Sequence, residues 1–249
     1  MENSITGNLA TSATKIQRKI KELVKGSVDT YLDPSKLPLH VGIIPDGNRR
    51  YSRLANLSYK IAYNLGYENL RNIMKELLRI GVKYLSVYAM SLDNCMKRGS
   101  EELETLYDLI VRGVEELSRD EDLISNGIRV VFFGDLSLLP GSIVDRILKL
   151  ENSTKNRIGG ILSIALCYST VWEINMDKKG VERPISYRML PPIDLVIRTG
   201  DRKRLSDFFP VNARYAELYF SEKPWPAFSI ADLYQAIRWF QGVQRNFGK

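Results

Sequence analysis

His40-Val-Gly-Ile-Ile-Pro-Asp-Gly-Asn-Arg-Arg-Tyr-Ser-Arg53 joins an apolar, β-branched run to a turn carrying a carboxylate, a glycine and paired cations. Residues 41–44 read as a buried strand, and Pro45 ends it. Gly47 lets backbone N–H groups approach an anion, and Asp46 can hold Mg²⁺ against it. A strand that breaks this way suits a metal and a phosphate. The same residues also spell an ordinary turn, and taken alone they leave both readings open.

Outward from this stretch, apolar runs alternate with helical periodicity. Strands are expected at 82–90, 128–133, 161–167, 195–197 and 215–220, rich in β-branched and aromatic residues. Helices are expected over 64–80 and 138–150. A long helix should follow Ser100, and a capping-box-like start at Ser229 and Asp232 opens the last one. Residues 91–98 read as a loop and 169–192 as short and irregular. The expected fold is α/β: one domain with a central, mostly parallel six-stranded sheet flanked by helices. The domain should span 39–249, preceded by a basic helical extension, 1–38. Within that extension Ile16, Ile20, Leu23, Val24 and Val28 keep helical spacing among lysines. Such a helix packs on the domain or lies on an anionic membrane.

Composition narrows the function. The 249 residues are 44% hydrophobic and 26% charged, which excludes a disordered or fibrous chain. The net charge of +7 favours an anionic partner: nucleic acid, acidic lipid or a diphosphate. Cys95 and Cys167 lack a CxxC partner and read as reduced thiols of a cytosolic protein. His40 is the only histidine, so a Ser-His-Asp or Cys-His mechanism would need that one residue. No run reaches the ~18 apolar residues of a membrane span, and the amino terminus lacks a signal peptide pattern. A soluble, cytoplasmic protein is expected, with peripheral membrane contact through the basic helix.

In parallel sheets ligands bind beyond the carboxyl ends of the strands. The polar clusters 46–50, 91–98 and 198–206 all fall at such ends, so three loops should converge on one crevice. That crevice would hold Asp46, Asp93 and Glu217, the cations Arg49, Arg50, Lys97, Arg198 and Arg204, the amides Asn48 and Asn94, and the Ser206 hydroxyl. Arginine forks match phosphate oxygens, and a metal on Asp46 would neutralise a leaving diphosphate. Leucine-rich helix faces nearby could line an apolar channel. A diphosphate head with an apolar tail describes an isoprenoid.

Here the sequence resembles the cis-prenyltransferases, the family of undecaprenyl diphosphate synthase, from about Leu39 to Phe240. The blocks HVGIIPDGNRRYSR (40–53), YLSVYAMSLDN (84–94), IRVVFFGDLSLLP (128–140), DLVIRTGDRKRLSDFF (194–209) and YAELYFSEKPWPAF (215–228) agree in order and spacing. The doubled arginine is similar to archaeal members. The resemblance implies sequential condensation of isopentenyl diphosphate with an allylic primer, geranylgeranyl or farnesyl diphosphate, giving a polyprenyl diphosphate for a glycosyl carrier lipid. It implies Mg²⁺ on Asp46 and Glu217, and phosphate contacts from Gly47, Asn48, Arg49 and Arg50. Asn94, beside Ser91 and Asp93, would aid proton removal. Arg198, Arg204, Leu205 and Ser206 would clamp isopentenyl diphosphate. Tyr51, Tyr59, Tyr63, Cys95 and Lys97 would complete the substrate site, and a homodimer is implied.

The family pattern is altered at several positions. Cys95 stands for an aromatic, Lys97 for arginine, Tyr59 for arginine, Ala62-Tyr63 for Gly-His, Asp93 for glutamate and Tyr51 for tryptophan. Arg202 stands for an acid, and the helix between the fourth and fifth strands should be largely missing. A catalytically weak subunit that pairs with an active relative is the alternative these changes keep open. On the residues alone, Glu217 also fits an edge-strand surface charge, Asn94 a loop cap, Tyr63 helix packing, and Cys95 and Met96 filling at a channel mouth. A nucleic-acid-binding role fits poorly, because the cations sit beside carboxylates that repel a phosphate backbone.

Overall fold

In the computed structural model, which describes residues 32–180 and 183–245, the opening stretch divides at Pro45. β1 (His40–Ile44) is buried at every position. Helix α1 (Asn48–Leu54) begins directly after Gly47, whose φ of 106° is accessible to glycine at little cost. A β-carbon there would also stand 2.8 Å from the Pro224 backbone. α2 (Tyr59–Ile80) is capped by Ser58 and closed by Gly81 in the left-handed region, the residue types that suit those positions.

β2 (Tyr84–Tyr88) follows. Residues 91–98, expected as a loop, instead form α3 (Leu92–Lys97), because the Ser91 side chain accepts from the Asn94 N–H and caps it. α4 (Ser100–Arg119) carries Glu101 and Glu102 in its first turn, where acids complement the helix dipole. α5 (Glu121–Ser125), β3 (Ile128–Phe133), α6 (Gly141–Thr154) and β4 (Gly160–Ala165) come next.

The 169–192 segment also departs from expectation. It contains α7 (Thr170–Lys178) and α8 (Ser186–Met189). The buried face of α7 carries Glu173, a polar residue that breaks the apolar period. Glu173 accepts from Tyr168 Oη at 2.8 Å, Ser186 N at 2.6 Å and Ser186 Oγ at 2.7 Å. Burial pushes its carboxyl up from the usual range.

β5 (Leu195–Arg198), β6 (Glu217–Phe220) and α9 (Ile230–Gln241), the last with a complete capping box, finish the described chain. The six strands are all parallel, in the order β3-β4-β2-β1-β5-β6. Side chains alternate across the pleat. Ile44, Tyr88, Val131, Phe133 and Val196 face a core shared with Phe208 and Phe209. Residues of the other face, including Val87, Phe132 and Leu162, look toward Met74 of α2 and Leu106 and Val114 of α4.

Cys95 and Cys167, expected as free thiols, are joined as a disulfide with their Cα atoms 5.6 Å apart. One follows the end of β2 and the other the end of β4, and these strands are neighbours, so the sheet brings together residues 72 apart in sequence. From Asp33 onward the chain is one compact unit. The expected basic helix of residues 13–28 lies outside the described residues. Among the described residues no helix is long and apolar enough to cross a membrane.

Candidate active site

β1 has β2 on one side and β5 on the other, so the sheet order reverses there and the carboxyl ends of β1 and β5 open a crevice. Asp46 sits in it. Its backbone oxygen accepts from Trp225 N at 3.0 Å and Thr199 Oγ1 at 2.7 Å. Trp225 is buried and anchored through Nε1 to Gly66 O at 2.7 Å. The Asp46 carboxylate accepts from Arg198 Nη2 at 2.7 Å, and Arg50 approaches it at 3.7 Å.

Arg198, the last residue of β5, is only 4% exposed. Its Nη1 also donates to Ser206 Oγ at 2.8 Å and to the Arg204 carbonyl, while its Nε is buried without a partner. Arg204 Nε donates to the same Ser206 Oγ at 3.2 Å. The loop reaches this form through left-handed backbone at Asp201, Ser206 and Asp207. Non-glycine residues in that region carry strain that the surrounding structure must hold. Tyr88 Oη secures the far end by donating to Ser206 O at 3.2 Å. Burial pushes the Tyr88 phenol up, so it remains a donor.

Asn48, at the start of α1, packs its Oδ1 onto Gly66 of α2, where a β-carbon would collide with it. That oxygen is buried and without a hydrogen-bond partner. These elements enclose a cavity of about 990 Å³. Its polar mouth is formed by the 46–50, 91–94 and 198–207 segments, and its body by Leu70, Met74, Leu106, Ile110, Val114 and the β-sheet residues Phe132 and Leu162. Tyr67 and Arg71 of α2 flank the apolar body. Tyr67 Oη donates to Glu116 at 2.7 Å, and Arg71 pairs with the same carboxylate at 2.9 Å.

Of the residues expected at the site, Asp46, Gly47, Asn48, Arg49, Arg50, Tyr63, Ser91, Asp93, Asn94, Arg198, Arg204 and Ser206 line this one cavity. Six others do not. Leu205 packs against the hydrophobic core, and Cys95 is held in the disulfide. Lys97 is 73% exposed and paired with Asp93. Tyr51 lies outside the lining, and Tyr59 stands exposed under the Arg49 guanidinium.

Glu217 is the sixth. It opens β6 and pairs in register with Leu195, whereas Arg198 pairs with Phe220. Three strand residues, about 10 Å, separate it from the carboxyl end, so its own chain does not bring it to Asp46. A period-two strand pattern places a residue on a face but does not say which end of the sheet it occupies. Residues that sequence reasoning missed include Arg98, Tyr88, Gly66 and Trp225. Only the polar spacing of Lys97-Arg98 gave a signal for the first.

His40 is fully buried, with Nδ1 2.9 Å from Pro191 O and Nε2 2.8 Å from Ser86 Oγ. It does not line the cavity, and its hydrogen bonds tie β1 to β2 and to the segment before β5. Among the described residues no group of three His, Cys, Asp or Glu side chains could cage a metal. The half-buried Asp46 carboxylate, beside Arg50 and Arg198 at the cavity mouth, still fits Mg²⁺, which binds through one or two carboxylates plus substrate phosphates.

A family model described as putative undecaprenyl diphosphate synthase matches residues 44–248. A tritrans,polycis-undecaprenyl-diphosphate synthase (geranylgeranyl-diphosphate specific) of Aeropyrum pernix is 37% identical, over 85% of this chain and 99% of that one. A (2E,6E)-farnesyl-diphosphate-specific ditrans,polycis synthase of Acinetobacter baylyi is 34% identical, over 88% and 95%. The structure is similar to that of lavandulyl diphosphate synthase from Lavandula x intermedia in complex with dimethylallyl diphosphate. Its TM-score is 0.75 at 25% identity, covering 86% of this chain and all of that one.

Proposed function

The chain belongs to the undecaprenyl diphosphate synthase family of cis-prenyltransferases, and from that premise we propose that it extends an allylic diphosphate with isopentenyl diphosphate to a polyprenyl diphosphate. The primer is geranylgeranyl or farnesyl diphosphate, and the product serves as a glycosyl carrier lipid. One observation carries the reading: two arginine-bearing loops meet at Asp46, at the mouth of an apolar cavity.

The allylic C–O bond breaks and the diphosphate leaves. The isopentenyl double bond attacks the allylic carbon, and a proton is lost to give the new alkene. Arg49, Arg50 and the α1 turn hold the leaving diphosphate, and Arg198, Arg204 and Ser206 hold isopentenyl diphosphate. Asn94, beside the allylic half-site, assists proton removal. The apolar cavity takes the growing tail and excludes water from the cation. Asp46 would hold Mg²⁺, which when bound would supply charge neutralisation for a departing diphosphate.

A homodimer is part of the reading. β6 is an edge strand with all four residues half-buried, and Tyr219 lies 5.5 Å from Trp239, itself 41% exposed. Edges of this kind are ordinarily covered. Peripheral membrane contact is included because the product tail is apolar, with the lysines of residues 13–28 as its sequence support.

The test is condensation of labelled isopentenyl diphosphate with several allylic primers, the products sized by chromatography with Mg²⁺ and again after chelation. Chain extension that stops on chelation and returns with Mg²⁺ is expected. No extension with any primer would overturn the reading, and indifference to chelation would remove the metal.

A further inference from the structure

The Cys95–Cys167 disulfide lies just behind the cavity wall. Asp93 and Asn94 line the cavity beside Cys95, and Leu166 and Tyr168 line it on either side of Cys167, whereas neither cysteine is part of the lining. The two halves of the bond are unlike. Cys167 is fully buried, and its carbonyl accepts from Asp135 N at 3.1 Å, which ties it to the segment after β3. Its φ of 49° lies in the left-handed region, where a non-glycine residue is held only by its surroundings. Cys95 is half-buried, within α3.

α3 is six residues long and buries none of them. A helix this short does not persist on its own hydrogen bonds and depends on what it is fastened to. Leu92 N donates to Tyr168 O at 2.8 Å, and Tyr168 N donates to Met90 O at 3.2 Å. Both bonds lie at or before the first residue of the helix. Beyond its far end Arg98 meets Glu102 of α4 at 3.1 Å. Between these two moorings the disulfide is the link from the turn that carries Asn94 to the core. The anchor at Cys167 is rigid and the segment at Cys95 is not, so breaking the bond frees α3 and leaves the sheet in place.

Resting on the synthase reading above, we propose that Cys95–Cys167 is a thiol–disulfide exchange site that sets the position of α3, so that the oxidised chain extends its substrate and the reduced chain does so slowly. The reactant it takes is a dithiol. One thiolate of the dithiol attacks Cys95 Sγ, the less buried half; the S–S bond breaks and its electron pair leaves on Cys167 Sγ, which takes up a proton. The second thiol then attacks the reductant's own sulfur in the mixed disulfide and releases Cys95, which is protonated in turn. Two electrons and two protons pass to the protein, and the reductant leaves as a disulfide. A small disulfide reverses the sequence. Both cysteines are positioning residues, because they act through Asn94 and its neighbours.

Condensation of labelled isopentenyl diphosphate tests this in the full chain as purified, after dithiothreitol, and after reoxidation with oxidised glutathione, with alkylation and mass spectrometry scoring the bond. Turnover should fall fivefold or more on reduction and return on reoxidation. Cys95→Ser and Cys167→Ser should stay at the reduced rate under all three conditions. Amide exchange over 91–98 should quicken tenfold or more on reduction while the β1 and β5 amides keep their protection. Without denaturant, Cys167→Ser should take up one glutathione at Cys95 from oxidised glutathione, and Cys95→Ser should take up none. Unchanged turnover or unchanged exchange over 91–98 after complete reduction would overturn the switch, as would a bond that resists dithiothreitol in the folded chain. Lost protection in β1 and β5 would overturn it too, by showing that reduction unfolds the sheet. No extension by either form would sink the synthase reading alone, since amide exchange and glutathione uptake need no turnover.

Discussion

The Arg198 guanidinium donates to the Asp46 carboxylate at 2.7 Å, tying the ends of two neighbouring parallel strands, β5 and β1. This ion pair lines the polar mouth of the cavity. The carboxylate therefore has two tasks: it offsets a nearly buried cation and it lines the cavity mouth. Removing it separates these tasks.

Asp46→Asn keeps an oxygen for Arg198 but loses the charge. Turnover should fall by at least three orders of magnitude, while the fold survives. Stability should drop by about 1–3 kcal/mol, the cost of weakening one charge-assisted hydrogen bond to a buried group. Labelled-substrate incorporation and urea unfolding measure the two effects. Near-normal turnover in this variant would retire Asp46 from the chemistry.

All six strands were legible because parallel strands buried on both faces read as continuous apolar runs, as in 41–44 and 128–133. The cluster at Asp46 was legible because polar residues follow directly on such runs. α7 was not, since Glu173 occupies its buried face and only a tertiary contact with Ser186 explains it. Lys97 and Arg98 are adjacent cations, and no pattern says which one a helix end turns inward. Glu217 stands apart from the cavity for a related reason: register, not periodicity, decides which end of β6 it occupies.

Gly113 offers control over product length. It lies within α4, lines the apolar cavity, and a β-carbon there would stand 3.4 Å from the Tyr67 ring. Gly113→Leu should fill the channel beside Tyr67 and shift products toward fewer isoprene units, with the rate of the first condensation little changed. Helix propensity should add up to about 1 kcal/mol of stability. Chromatography of the products decides it, and an unaltered length distribution would mean that the tail passes elsewhere.

His40 gives the fold an acid limit. Burial holds its imidazole down to about 4 in the folded chain, against about 6.5 when unfolded. Between those values the unfolded chain takes up a proton that the folded chain refuses, so unfolding becomes easier as pH falls. His40's contribution is therefore complete above about pH 6.5 and is lost toward pH 4, amounting to about 3 kcal/mol in all. His40→Asn should be less stable at neutral pH but should lack this portion of the slope. Urea titrations from pH 4 to 7 on both proteins measure it, and identical slopes would exclude His40 as the source.

The Cys95–Cys167 disulfide constrains the segment that carries Asn94. Cys95 follows Asn94 in α3, and Cys167 is fully buried just beyond β4. Ser91 also bridges to Tyr168, so the bond and the bridge fasten the same two segments. Closing a loop of 72 residues restricts the unfolded chain by about 4 kcal/mol in the chain-entropy treatment. Cys95→Ser should lose up to that amount. Its amide exchange should quicken over 91–98 while the β1 and β5 amides stay protected, because the sheet ladder does not depend on the bond. Thiol titration of the unfolded, unreduced chain should find no free cysteine and, after reduction, two. Two free thiols before reduction would show that α3 is held by its cap and the Ser91 bridge alone.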